Sequence, residues 1–162
     1  MNDTATIRGV KTLFDQAAHE SIRSRVSALR GDEAPRWGRM SAAQMVCHVT
    51  DVLHIALGEV PIVRMGSFPL TLLTLYPFRW LFAYRLPWPK GMPTAPEMQR
   101  SKPAAWEADV KALLSALDRF AEPGKDSKAA WGTHPLLGPL PGWEWGPLVY
   151  KHLDHHLTQF GV

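Results

Sequence analysis

Four stretches of this chain repeat apolar residues at a helical interval, and no stretch alternates them cleanly as a half-buried strand does. The first covers residues 11–29, where Leu13, Ala17, Ile22, Val26 and Leu29 recur at three- to five-residue steps and Gly31 then stops the pattern. The second covers residues 41–57. Ser41 and Gln44 form an S-x-x-Q capping box, Met40 and Met45 flank it as a staple, and Met45, Val49, Val52, Leu53 and Ala56 make the apolar stripe. The third, 103–121, starts near Pro103, which suits a first turn, and carries Ala105, Val110, Leu113, Leu114, Leu117 and Phe120. The fourth, 143–160, contains Pro147, which a helix tolerates in its first turn. In a chain of 162 residues these predict one all-α domain over residues 1–162, arranged as a four-helix bundle.

An apolar excursion separates the second and third helices, with one short helix expected from Leu70 to Leu86 and a Pro-rich connector over 87–97. Its longest charge-free run, Met65 to Phe78, has 14 residues and two prolines. A spanning helix needs roughly 18 or more apolar residues, so a core helix or a subunit contact is expected and no membrane span. Residues 122–142 are rich in Pro and Gly, and a loop this long in a compact domain is often functional. The net charge is +3, but the arginines are scattered and form no stripe, so nucleic acid is not an expected partner. Cys47 is the single cysteine, which excludes an internal disulfide. The first ten residues lack the charged and apolar regions of a signal peptide, and a cytoplasmic protein is expected.

The chemistry concentrates near the C-terminus, in Y-K-H-L-D-H-H-L-T-Q-F, residues 150–160. His152 and His156 are four apart, so on a helix they share a face and can meet one ion. The same spacing also suits a hydrogen-bonded core pair, and spacing alone does not choose. His155 is rotated about 100° from His156 and does not easily join the same ion. His48 is the best third ligand, because on its helix it points where Met45 and Val52 point. Asp51 lies on the neighbouring face. Asp51, Glu144, Asp154 and His155 are candidates to support the site, and each is also an ordinary solvated residue in the bland reading. His134, in the Pro- and Gly-rich loop, either has no role or reaches the mouth of the site. His19 and His54 read as surface or helix-edge groups, and Cys47 as a small buried hydrophobe. Nucleophile-elbow, P-loop and dinucleotide motifs are absent from the sequence.

Residues 36–51, R-W-G-R-M-S-A-A-Q-M-V-C-H-V-T-D, resemble the second helix of the DinB/YfiT-like superfamily of metalloenzyme candidates. H-L-D-H-H-L-T-Q, residues 152–159, is similar to that family's H-x-x-H-H-x-x-Q ending. L-P-W-P-K-G-M-P-T-A-P-E and H-P-L-L-G-P-L-P-G-W-E-W are similar to a branch classed as a domain of unknown function. The resemblance implies a four-helix bundle, often dimeric, with His48, His152 and His156 as ligands of a divalent metal. Leu70–Trp88 is the expected dimer contact. Three imidazoles suit Zn²⁺, Ni²⁺ or Fe²⁺ alike. Some relatives resemble thiol S-transferases or thiol-dependent isomerases, which implies a low-molecular-weight thiol and a small electrophilic substrate. Leu153 stands where H-E-x-x-H places its general base, which favours the same chemistry. The alternatives are a metal-dependent hydrolase of small esters or amides, and a non-enzymatic, stress-related binding or dimerisation module.

Overall fold

The computed structural model describes residues 9–62, 75, 77–91, 94–123 and 130–162. They are mostly helical. The long helices are α1 (Gln16–Ala28), α2 (Ala42–Ala56), α4 (Trp106–Ala121) and α5 (Gly142–Gln159). A short helical turn, α3 (Phe78–Trp80), runs on into a π-helical turn, Leu81–Arg85. A 3-10 turn, Pro96–Gln99, lies before α4, and a two-stranded antiparallel ladder, β1 (Thr133–His134) and β2 (Gly138–Pro139), lies before α5.

The capping box forms as the sequence predicts. Ser41 Oγ accepts from the Gln44 amide at 3.2 Å, and Gln44 Oε1 accepts from the Ser41 amide at 2.9 Å. Together they satisfy two N-terminal donors of α2 that would otherwise lack partners. α2 is then buried on almost every side, including the whole predicted stripe from Met45 to Ala56. It packs against α4, α5, the 3-10 turn and β1, while α1 packs against α4 and α5. A helix buried nearly all round belongs in the centre of a core, and α2 occupies that place.

Two helix starts and the place of Pro147 differ from the sequence reading. α1 begins at Gln16 rather than near residue 11, because Thr12–Phe14 lies against α5 at Gly146. The Leu13 amide donates to the Gly146 carbonyl at 3.4 Å, and a Cβ on Gly146 would stand 2.3 Å from Thr12 Oγ1. α4 begins at Trp106 rather than at Pro103. Asp51 accepts from both the amide and the hydroxyl of Ser101, pinning the approach to α2, and Asp109 takes the Ala104 amide. Pro147 falls in the second turn of α5, not the first. Its ring leaves the Trp143 carbonyl without the usual i+4 donor. The expected Leu70–Leu86 helix is shorter within the described residues, and most of 63–76 lies outside them. The Pro- and Gly-rich loop forms the small ladder, which two-residue strands do not announce by alternation. No helix among the described residues is long and apolar enough to cross a membrane.

Candidate metal centre

His48, His152 and His156 converge, with one nitrogen from each ring lying within 4.8 Å of the others. His48 comes from the middle of α2 and is 4% exposed. The other two come from successive turns of α5. Ring centroids are 5.0 Å apart for His48 and His152, and 4.9 Å apart for the other two pairs.

Neighbouring groups fix the tautomers. His48 Nδ1–H donates to the Met98 carbonyl at 2.7 Å, because a carbonyl can only accept. Its Nε2 therefore carries a lone pair and faces His152 Nε2 at 3.0 Å. Gln159 Nε2 donates to the Trp37 carbonyl at 2.7 Å, which turns its Oε1 toward His156 Nδ1 at 2.9 Å. His156 thus donates from Nδ1 and keeps the lone pair on Nε2. Burial, the largest cause, lowers the proton affinity of all three rings, and their mutual proximity lowers it further for His152 and His156. His156 is brought down to about 3. All three are neutral at pH 7, the state in which imidazole binds metal. Two nitrogens on a tetrahedral ion at about 2.05 Å would stand about 3.3 Å apart, close to the spacing of His48 and His152. The donor set suits a divalent ion, and the three nitrogens lie close enough together to hold one.

The three rings line a cavity of about 300 Å³, whose walls include Met40, Phe82, Trp88, Leu136 and Leu148. Trp88 meets His152 edge-on at 5.5 Å. The π-helical turn carrying Phe82 is tied to α5 by Lys151, whose ammonium donates to the carbonyls of Phe82, Ala83 and Leu86 at 3.0, 3.0 and 2.6 Å. Burial lowers the Lys151 pKa to about 8.

The supporting candidates take varied places. His134 lines the cavity. Its Nδ1 accepts from the amides of Leu136 and Leu137 at 3.1 Å each, and burial takes its pKa to about 4. His155 also lines the cavity, between the rings of Trp37 at 5.7 Å and Trp88 at 6.2 Å, and is not one of the converging three. Asp51 turns to Ser101 and acts on His48 through its charge alone. Glu144 accepts from Arg79 and from the Tyr84 hydroxyl, joining α5 to the excursion rather than to a histidine. Asp154 pairs with Arg25 at 2.6 Å. His19 Nε2 lies 3.1 Å from Asp118 without hydrogen-bond geometry, His54 pairs with Glu59, and Cys47 is buried with its thiol pKa raised by burial.

Sequence reasoning assigned no role to Met98, Gln159 or Lys151. Gln159 was findable, because it follows His156 by three residues and shares its face. The Met98 carbonyl carries no side-chain signal. No protein-family model matches the chain, and neither a curated protein nor a solved structure proves significantly similar to it.

Proposed function

We propose that this protein is a divalent-metal-dependent enzyme of the DinB/YfiT-like kind, with α1, α2, α4 and α5 forming a four-helix bundle. Its three-histidine centre would act on a small electrophile with a low-molecular-weight thiol. The observation that supports this most is the convergence of His48, His152 and His156 beside a cavity, two of them with lone pairs set by Met98 and Gln159. A divalent ion held there supplies the positive charge that favours an ionised thiol. The chain's own residues hold the ion, orient its ligands and surround it with apolar wall that limits water. None of the described wall residues is Asp or Glu, and Leu153 is buried in the core. Water, with a pKa near 15.7, needs more help to ionise than a thiol near 8.5, and this favours the thiol. Phe78, Leu81 and Leu86 are exposed apolar side chains on the excursion, which supports a homodimer contact there.

Hydrolysis of a small ester or amide is the second reading. It is favoured by His155, a cavity-lining imidazole whose pKa is lowered by partial burial, so that it is neutral and able to accept a proton at pH 7.

Elemental analysis of protein prepared without a histidine tag tests the centre. About one metal ion per chain, lost on His152→Ala, is expected. The loaded protein is then offered thiols with an activated aryl halide, beside a panel of simple esters. Thiol-dependent turnover supports the first reading and ester cleavage the second. A folded, metal-free protein inert to both overturns them and leaves a binding module.

A further inference from the structure

The cavity has a charge imbalance that metal binding does not use. Its described wall holds no carboxylate, yet Arg39 lies on it and Lys90 sits 4.6 Å over the ring of Trp37, another wall residue. Arg39 is exposed, and no described carboxylate pairs with it. The rest of the wall is largely apolar and aromatic, and a volume of about 300 Å³ is at the small end for ligand sites.

His134 adds a fixed donor. A lone pair that accepts two backbone N–H groups cannot also hold a proton, so the ring's proton is on Nε2. The backbone leading into β1 is anchored as well. The Gly132 amide donates to the Ala56 carbonyl at 2.9 Å, and its own carbonyl takes the indole N–H of Trp145 at 3.1 Å. A neutral imidazole held in this way is a poor base and a hydrogen-bond donor.

We propose that the cavity takes a small anion with an apolar body, its negative group held by the Nε2–H of His134 and drawn in by Arg39. This rests on the cavity being the working site proposed above, but not on a bound metal, since both residues are in place without one. An anion entering an apolar cavity needs a charge or donor to offset its lost hydration, and a cation finds no carboxylate on the described wall. A bound dication on three neutral imidazoles adds positive charge and strengthens the same preference.

The test titrates metal-free and zinc-loaded protein with benzoate, benzyl alcohol and benzylammonium, which share a ring and differ in charge. Benzoate is expected to bind at least about tenfold more tightly than either in both forms, as one hydrogen bond to a charged group allows. His134→Asn keeps an acceptor for the two amides but withdraws the Nε2–H, its own amide N–H groups standing at the place of Cδ2 and short of the Nε2 position, and Arg39→Gln removes the exposed charge. Each lowers benzoate affinity about tenfold and leaves that of benzyl alcohol unchanged. Should His134→Asn fail to fold, the ¹⁵N shift of His134 Nε2 in the parent protein decides, moving on benzoate addition if the proposal holds. Equal affinity for the three probes, no binding of benzoate, or a folded His134→Asn with full benzoate affinity overturns it. Loss of the zinc site with the benzoate preference intact would remove the metal reading alone. Zinc binding without that preference would remove this inference alone.

Discussion

His48 and His54 lie on one helix, six residues and about 240° of rotation apart, and they have little else in common. His48 is 4% exposed, with its Nδ1 on the Met98 carbonyl and its Nε2 on His152. The His54 side chain is 35% exposed and pairs with Glu59, which also takes Arg119. Both proton affinities are lowered, each chiefly by burial. The difference lies in what faces the ring. Around His48 two further imidazoles crowd in, and its Nε2 lone pair faces His152 Nε2. Around His54 a carboxylate and a guanidinium already balance. The first arrangement brings three ring nitrogens close enough to hold a cation, whereas the second is already occupied by opposite charges.

The largest effect expected from breaking this contrast is on metal. His48→Ala or His152→Ala should weaken zinc binding by at least about 100-fold in calorimetry, while His54→Ala leaves it unchanged. Gln159→Leu keeps all three ligands but frees His156 Nδ1, and should weaken binding by about 10- to 100-fold. Gly132→Ala attacks the other end of α2. Its Cβ would stand 1.7 Å from the Ile55 carbonyl oxygen, so the ladder must shift, at a cost of about 1–3 kcal/mol in denaturant unfolding.

Acidification sharpens the contrast further. His134 and His156 have folded pKa values of about 4 and about 3, below the unfolded value near 6.5. Below pH 6.5 the unfolded chain takes up protons that the folded chain refuses. Metal-free protein should therefore lose stability as pH falls from about 6.5 toward about 3. His156→Ala should flatten that slope, as read from urea midpoints across the range. The smallest effect is left for the solvated pair. His54→Gln should change unfolding free energy by less than about 1 kcal/mol, because a partly exposed polar contact contributes little.

Much of α2 was legible from sequence, because its signals agreed with one another. The capping box, the staple and the stripe all set the same boundaries, and the period that placed Met45 and Val52 inward placed His48 with them. The histidines of α5 were legible for the same reason. The starts of α1 and α4 were not, because contacts with Gly146 and Asp51 override local preference there. The ladder escaped notice because two-residue strands have no period. Met98 escaped because it contributes a main-chain oxygen, which every residue has, and what singles it out is the position of the 3-10 turn over α2.

The stretch from Lys151 to Gln159 tethers the cavity's roof, supplies two of the three imidazoles and steadies one of them, all within nine residues of a continuous helix. Each job depends on helical phase as much as on side-chain identity. One residue inserted between 152 and 156 would swing everything after it through about 100° and advance it about 1.5 Å. Substitutions here remove single functions, whereas a one-codon insertion would scramble the register of several together.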